Sequence, residues 1–381
     1  MALFNVTKPA NWWLLLFILV VYSCKTSKQK AALVFVEDFR SSQMKDDEVI
    51  QRAIASANPG ATICFEPERT YTLHNRILVK RFQRLVGNNA TLKRADETFT
   101  LLDSAVSAAA DSIIVDSIPP GWRVGDQLQI FTDSTDGHSN AFGDYPNLPN
   151  LVTKIQKNKI FLSSPVGRSN DGTITIWPKG ATVRKVFTML RGDSIHMKSV
   201  PFSVVNMNFD GNKSNNHHNY YWNVNSTIFT KGIGAKIKDC RFYNIPNENI
   251  VGHGLYVSNC QAKDLNGSFV HFSGIDTVKS FPQKNSVIIG NTIENVCLIK
   301  TGITGHSEGV FTTSYSGGYA TISNNRVYNC NEAAIGAIIS AQNIQDGGRS
   351  EFIIQGNLFK NCRLIVSGIY FLSPEPVPTT D

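Results

Sequence analysis

A short repeat restricts the fold more than any other feature of this sequence. Five nine-residue segments align without gaps, and they start at Ile237, Val257, Ile288, Ile322 and Ile354. In each segment the first residue is β-branched, the sixth is apolar and the eighth is Asn or Asp. The fourth residue, here called the anchor, is Cys240, Cys260, Asn291, Asn325 or Asn357, and the anchors are 20, 31, 34 and 32 residues apart. Residues 204–211 form a weaker sixth copy.

The repeat predicts a solenoid of stacked strands. β-branched residues suit a pleated strand, but a segment this short cannot bury an apolar face on its own. Stacking successive copies at a strand spacing of about 4.8 Å buries a continuous core. The Asn and Asp side chains at the eighth position would then lie above one another, and we expect their amides to form hydrogen bonds from coil to coil.

The cysteines fit the same solenoid. Cys240, Cys260, Cys330 and Cys362 occupy repeat positions, and Cys297 lies one residue beyond one. We expect them to form stacked rows of small buried side chains, with disulfides between coils as the alternative. No cysteine spacing is typical of a zinc site, so no metal is expected.

The segment from Asp46 to Ile54 predicts an N-terminal helix. It starts with acidic residues, which favour a helix start, and Ile50, Ala53, Ile54 and Ala57 form one apolar stripe. Together with the repeat, this segment resembles the pectate-lyase superfamily of right-handed parallel β-helix proteins. The resemblance implies an all-β solenoid over residues 46–372, with the helix covering its open end. It implies less about activity, because the superfamily includes lyases, hydrolases, esterases, epimerases and binding proteins.

Residues from about 100 to 190 do not follow the repeat. Turn signals there separate strand-like pieces at Ser112–Val115, Asp126–Phe131, Leu151–Ile155, Lys159–Leu162 and Thr173–Trp177. We therefore predict a small antiparallel β insertion beside the solenoid. Its polar loop at 133–150 is a candidate rim of a binding cleft. Residues 373–381 are rich in proline and predict a loose tail.

The N-terminus reads as a targeting segment. The first 23 residues carry one charge, Lys8, and an apolar run from Trp12 to Val21 that is short for a membrane span. The run ends in Val21-Tyr22-Ser23-Cys24, which resembles a bacterial lipobox. Residues 1–23 are thus predicted to be a lipoprotein signal peptide, Cys24 the lipidated residue and residues 24–45 a tether and entry strand. A plain signal peptide or an uncleaved anchor are the alternatives.

These features set expectations about location and partners. We expect a membrane-anchored lipoprotein at the cell surface or on the periplasmic face of a bacterial membrane. The net charge of +7 slightly favours anionic partners, but no Lys/Arg run is dense enough to suggest nucleic-acid binding. We expect a polysaccharide partner, most plausibly an anionic one, no cofactor and a monomer.

Histidines recur at similar distances from the anchors. His217 and His218, His253, His271 and His306 lie 10 to 15 residues beyond successive anchor positions, and Glu308 follows His306 by two. If equal distance means the same face, the histidines form a strip of roughly 15 Å, the span of several sugar units. The alternative is that each histidine is a hydrogen-bonded residue of a turn.

Three functions stay open. A polysaccharide lyase would use as its base one of His253, His271, His306 and Tyr256. The cation that neutralises a uronate carboxyl group would be Lys213, Arg241 or Lys300. The calcium-binding aspartate cluster of pectate lyases is not evident in this sequence. A glycoside hydrolase would use Asp210 and Glu308, because Asn208–Gly211 and Gly252–Gly254 resemble segments of polygalacturonase-type hydrolases. Those enzymes' Asp-Asp and Arg-Ile-Lys segments are absent, and only Asp210, Glu248 and Glu308 are candidates for the two carboxylates that hydrolysis needs. Asp210 could also simply form a turn. The third function is non-catalytic glycan or partner binding.

Overall fold

The computed structural model describes residues 32–80, 82–132, 150–167, 174–192, 201–216, 226–272, 286–298, 309–313, 319–340 and 351–371. The predicted signal peptide, Cys24 and the tail lie outside these residues and stay predictions. Within the described chain, no helix has the length and apolar character needed to cross a membrane.

The described residues form one α-helix, α1 (Asp46–Ser56), two 3₁₀ helices (Val36–Phe39 and Lys213–Asn215) and thirty-one strands. In chain order the strands are β1 (Leu33–Phe35), β2 (Thr62–Cys64), β3 (Thr70–Leu73), β4 (Ile77–Val79), β5 (Arg84–Val86), β6 (Thr91–Arg94), β7 (Phe99–Leu101), β8 (Val106–Ser107), β9 (Ser112–Ile114), β10 (Gln127–Phe131), β11 (Val152–Gln156), β12 (Lys159–Leu162), β13 (Ile176–Trp177), β14 (Thr182–Val186), β15 (Leu190–Gly192), β16 (Ser203–Val205), β17 (Asn208–Asp210), β18 (Ile228–Ile233), β19 (Lys236–Lys238), β20 (Arg241–Ile245), β21 (Ile250–His253), β22 (Tyr256–Ser258), β23 (Gln261–Leu265), β24 (Val270–Phe272), β25 (Ser286–Ile289), β26 (Thr292–Val296), β27 (Gly309–Thr313), β28 (Tyr319–Ser323), β29 (Arg326–Ser340), β30 (Glu351–Gln355) and β31 (Leu358–Phe371).

The parallel strands form three faces of a coil. The first face has the order β1-β2-β5-β16-β19-β22-β25-β28-β30. The second face runs β3-β6-β17-β20-β23-β26-β29 and the third runs β4-β15-β18-β21-β24-β27-β29. The long strands β29 and β31 pair with each other along both the second and the third face. The chain is therefore a right-handed parallel β-helix, which confirms the predicted fold class.

Two rows of side chains form hydrogen-bonded ladders, of which the sequence predicted only the row at the eighth repeat position. In the buried row, Asn291 Nδ2 donates to Asn325 Oδ1 at 2.9 Å, and Asn325 Nδ2 donates to Asn357 Oδ1 at 3.0 Å. In the second ladder, Asn329 Nδ2 donates to Asn295 Oδ1 at 3.1 Å and Asn295 Nδ2 donates to Asp264 Oδ1 at 2.9 Å. The residues of this second ladder have φ values of 53° to 60°, a left-handed conformation that Asn and Asp tolerate better than other side chains. The expectation of hydrogen bonding from coil to coil is confirmed.

Apolar side chains stack inside the coil. Phe209 and Phe242, on neighbouring strands of the second face, have ring centroids 4.9 Å apart and nearly parallel planes. Phe269 packs edge-on against Phe242, with a centroid distance of 6.2 Å. The described cysteines have free thiols, and Cys240, Cys260, Cys297 and Cys330 are buried, as expected for small core side chains. Cys362, also predicted to be buried, is only partly so because it lies in the last described strand, β31.

Helix α1 covers the open first coil. Val49, Ile50, Ala53 and Ile54 are fully buried in the main core. The helix also pairs with edge strands, because Asp46 Oδ2 accepts from the Thr72 backbone N–H at 2.8 Å and the Gln51 amide exchanges two hydrogen bonds with the Leu78 backbone. We expected an acidic cap, but the residue before the helix is Lys45, which makes no capping bond. Asp46 is instead the first helical residue and ties the helix to β3.

The predicted antiparallel insertion comprises β7 to β14. Strands β10, β14 and β7 form one sheet, β11, β12 and β9 a second, and β13 pairs with β8, all antiparallel. Their side chains enclose a separate core that includes Trp177 and Ile160. The insertion lies between β6 and β15, so it is built into the second coil next to α1. The candidate rim loop lies outside the described residues except for Asn150.

Candidate functional site

The third face is buried on both sides. Its inward positions belong to the main core and are Ile77, Leu190, Ile228, Ile250, Val270, Phe311 and Ile335. Side chains alternate between the two sides of a strand, so the next residue in each strand forms an outer row. In register from coil to coil, that row is Leu78, Arg191, Phe229, Val251, His271, Thr312 and Gly336. From Phe229 to Gly336 its members are buried.

An acid and an imidazole meet at the middle of this outer row. His271 Nδ1 lies 3.8 Å from Glu248 Oε1, and both side chains are almost fully buried, with 3% and 4% of each residue exposed. Glu248 lies at the corner before β21, and its Oε2 accepts from the backbone N–H of Ser268 at 3.0 Å. Ser268 Oγ donates to Thr312 Oγ1 at 3.2 Å. The pair is thus fixed by residues of neighbouring coils.

Burial determines the charge of this pair. It raises the pKa of Glu248 to about 8, partly opposed by hydrogen bonding to Ser268, and it lowers the pKa of His271 to about 3. At neutral pH the carboxyl group is therefore mostly protonated and the imidazole is neutral. An acid and a base with such displaced pKa values can exchange protons with a bound group, which is why perturbed pairs mark candidate functional sites.

A cation occupies the same outer row. Arg191 lies three strands from His271, about 14 Å away at the usual strand spacing. Its guanidinium group lies 5.2 Å from the ring centre of Phe229. Burial, with Arg76 nearby, lowers the pKa of Arg191 to about 10, so the side chain stays charged at neutral pH. Within the described residues, Arg191 has no anionic partner.

The histidines that sequence counting aligned are not all in register. His271 pairs with Val251, so His253 lies two positions farther along its strand. Counting from the anchors fails because the corner before the third face varies: Val270 is ten residues beyond Cys260, whereas Phe311 is twenty beyond Asn291. The backbone of His253 ends β21, and its side chain is not described. His217, His218, Lys300, His306 and Glu308 lie outside the described residues, so their roles stay predictions.

Asp210 and Lys213 take structural positions. Asp210 Oδ1 accepts from the backbone N–H of Asn212 at 2.9 Å and from Asn244 Nδ2 at 3.4 Å. Lys213 Nζ donates to the Asp264 carbonyl at 3.2 Å. Asp210 therefore caps the second ladder and closes a turn, which is the alternative that the sequence left open for it. The structure does not bring it to the outer row of the third face.

Arg241 and Tyr256 are exposed and lie on other faces. Arg241 starts β20 on the second face, and Tyr256, 40% exposed, starts β22 on the first face. The structure therefore does not bring either side chain to the Glu248–His271 pair, and the roles of Tyr256 as a base and of Arg241 as a cation stay predictions.

Two residues of the site were missed as its members. Glu248 was considered only as a hydrolase carboxylate, and Arg191 was not considered at all. Aligning the third strand of each coil, instead of counting from the anchors, would have placed Arg191 and His271 in one row. Within the described residues, no group of three or more His, Cys, Asp or Glu side chains is arranged to hold a metal ion.

Comparisons with known proteins support no named family. No protein-family model and no curated protein matches the sequence. Among solved structures, the chain is similar to the tailspike gp61 of Pseudomonas phage phi297, at 13% identity, 90% coverage of this chain, 75% of that chain and a TM-score of 0.24. It is also similar to the Azotobacter vinelandii mannuronan C-5 epimerase AlgE4 A-module, at 11% identity, 89% coverage of this chain, 100% of that chain and a TM-score of 0.28. A third similar structure is the Yersinia enterocolitica family 28 exopolygalacturonase, at 11% identity, 89% coverage of this chain, 68% of that chain and a TM-score of 0.32. TM-scores this low carry no argument about what the chain does.

Proposed function

We propose that this protein is a lipid-anchored surface protein that acts on an anionic, uronate-containing glycan along the third face of its β-helix. The observation that carries the proposal is the outer row, where a cation without an anionic partner in the described residues, Arg191, lines up with the Glu248–His271 pair. A glycan that bears carboxylates supplies the missing negative charge at Arg191. A distance of about 14 Å between the two ends suits a chain of several sugars.

The proposed reaction is β-elimination. A base removes the proton next to the uronate carboxyl group, and the electron pair forms a carbon–carbon double bond as the glycosidic C–O bond breaks. The leaving oxygen takes up a proton from the protonated base or from water. Arg191 would neutralise a carboxylate of the bound chain. Glu248, with a pKa of about 8, is better matched as a base to neutral or mildly alkaline pH than His271, with a pKa of about 3.

The pH dependence separates these two bases. If Glu248 is the base, the rate rises about tenfold per pH unit up to about pH 8, because only the ionised carboxylate reacts. If His271 is the base, the rate changes little between pH 5 and 8, because the imidazole is already neutral.

The test is an assay of the mature protein on a panel of uronate polysaccharides, followed by the ultraviolet absorbance of unsaturated products. We expect product from at least one acidic polysaccharide and its loss in Glu248→Gln. Glu294→Gln, which removes a more exposed carboxylate on the second face, serves as the matched control and should keep full activity. Folded protein that gives no product on any acidic polysaccharide would rule out the lyase.

Burial favours a second function, non-catalytic glycan binding. Glu248 and His271 expose only 4% and 3% of their surfaces, so the pair can hold the third face together while more exposed side chains bind the glycan. A binding module predicts affinity for an acidic glycan, no product of any kind, and unchanged affinity in Glu248→Gln and His271→Gln. Reducing ends without unsaturated product would instead indicate the hydrolase.

A further inference from the structure

A cleft with a volume of about 230 Å³ lies where the capping helix, the first coil and the insertion meet. Gln51 of α1, Asn75 and Arg76 before β4, and Gln127 and Lys185 of the insertion line it. These residues come from three separate parts of the chain, and none of them belongs to the Glu248–His271 pair. The cleft is therefore a second place at which the fold converges polar groups.

Most charges at the cleft are already paired. Lys185 Nζ lies 2.9 Å from Asp126 Oδ1 and donates to Asn75 Oδ1 at 2.7 Å. Arg123, whose side chain is half exposed, lies 3.2 Å from Glu48 Oε1. Among the charged residues that line the cleft, these two ion pairs leave Arg76 unpaired. The buried carboxylate of Asp47 is not part of the lining and accepts from Asn75 Nδ2 at 2.6 Å.

Arg76 makes no hydrogen bond or ion pair within the described part of the chain. Its side chain is partly buried, and this burial lowers its pKa, opposed by the field of Asp126. Arg191 lies close enough to feel the charge of Arg76, so the two guanidinium groups repel each other. A partly buried cation without a counter-ion is unfavourable. Binding of an anion beside Arg76 would therefore stabilise the folded protein.

A second donor at the cleft is also unused. The Nε2 of Gln127, a buried residue that lines the cleft, has no hydrogen-bond partner within the described chain. Buried amide donors are normally satisfied. Arg76 and Gln127 thus offer donors, whereas the carboxylate at the cleft, Asp126, is occupied by Lys185 and by the backbone N–H of Arg123.

We propose that this cleft binds one acidic sugar residue through its carboxylate, with Arg76 and Gln127 as donors. One uncompensated positive charge matches a monoanion, and a planar guanidinium group binds a carboxylate with two parallel hydrogen bonds. The volume is below the roughly 300–1,000 Å³ of pockets for larger ligands, so it suits a single sugar ring and not a chain. The carboxylate follows from Arg76 and Gln127, whereas a sugar as its carrier rests on the proposed function.

Calorimetric titration of the whole protein tests the site, with galacturonate and glucuronate as probes and glucose, inorganic phosphate and sulfate as comparisons. We expect at least one acidic sugar to bind, Arg76→Met to weaken binding tenfold or more, and glucose not to bind. Arg326→Met, which removes an exposed arginine of β29, is the matched control and should bind normally. Equal binding of glucose, equal binding by Arg76→Met, or tighter binding of phosphate or sulfate than of both acidic sugars would overturn the proposal.

Thermal stability without ligand gives a readout that a structural arginine would not give. Because Arg76 is a partly buried cation without an anionic partner in the described residues, Arg76→Met should raise the melting temperature. Acidic sugar should raise the melting temperature of the wild-type protein and leave that of Arg76→Met unchanged. A lower melting temperature of Arg76→Met would show that the arginine supports the fold, and the proposal would fail.

Discussion

Replacing Glu248 with Gln should make the protein more stable at neutral and alkaline pH. Burial raises the pKa of Glu248 from 4.5 to about 8, so the folded protein holds a proton there that the unfolded chain releases. Each pH unit between those values lowers the free energy of unfolding by about 1.36 kcal/mol. The contribution of Glu248 alone therefore falls by about 5 kcal/mol between pH 4.5 and pH 8, and Gln, which is similar in shape and cannot ionise, removes this loss.

His271 gives the opposite dependence on pH. Burial lowers its pKa from 6.5 to about 3, so the unfolded chain binds a proton that the folded protein does not. The contribution of His271 to stability therefore falls as the pH drops from 6.5 to 3, by about 5 kcal/mol in total. Between pH 4.5 and 6.5 the two effects cancel, because the folded pair and the unfolded pair each hold one proton. His271→Gln should remove the acid loss and leave the alkaline loss.

Urea denaturation from pH 4 to pH 9 measures both effects. The wild type should show a plateau between pH 4.5 and 6.5, Glu248→Gln should lack the alkaline decline, and His271→Gln should lack the acid decline. Glu294→Gln is the control and should follow the wild type. If Glu248→Gln and wild type decline in parallel above pH 6.5, the carboxyl group is not protonated in the folded protein and the reasoning about the pair is wrong.

Three further substitutions test the fold by thermal or chemical denaturation. Asn325→Leu leaves the backbone N–H of Asn291 and a buried carbonyl without partners, each worth about 1 to 3 kcal/mol, whereas the exposed ladder change Asn361→Ala should cost far less. Phe242→Ala opens a cavity in the aromatic stack and should cost about 3 to 5 kcal/mol. Asp210→Asn keeps the acceptor for Asn212 and should change stability by less than about 0.5 kcal/mol and leave any activity intact; loss of activity would support the hydrolase.

The coil could be predicted from the sequence because its ladders depend on residue type at fixed spacing. Asn295 and Asn329 adopt a left-handed conformation and stack, and both properties follow from Asn at the same position of each repeat. The insertion could be located because strand-like pieces separated by turn signals replace the repeat there. The two residues of β8 carry too little pattern to be recognised, whereas β13 lies within the predicted piece Thr173–Trp177.

The site could be predicted only in part, because it lies on the face farthest from the repeat. The third strand of each coil follows a corner whose length differs from coil to coil, so distance from the anchor does not fix register there. His271 was identified as a site residue, but its burial was not predicted. It lies on the outer side of β24, whose inner side packs in the main core through Val270, and both sides of the strand are covered. Arg76, Gln127 and Lys185 come together only through the docking of α1 and the insertion, which no local pattern records.

The affinity of an acidic oligosaccharide for the third face is the most direct test of the proposed function. Calorimetry would compare an oligouronate with a neutral oligosaccharide of equal length on the wild type, Arg191→Gln and the exposed control Arg326→Gln. We predict that the oligouronate alone binds, that salt weakens it, and that Arg191→Gln reduces its affinity at least tenfold while Arg326→Gln does not. Equal binding of the neutral oligosaccharide, or unchanged affinity in Arg191→Gln, would contradict a glycan-acting third face.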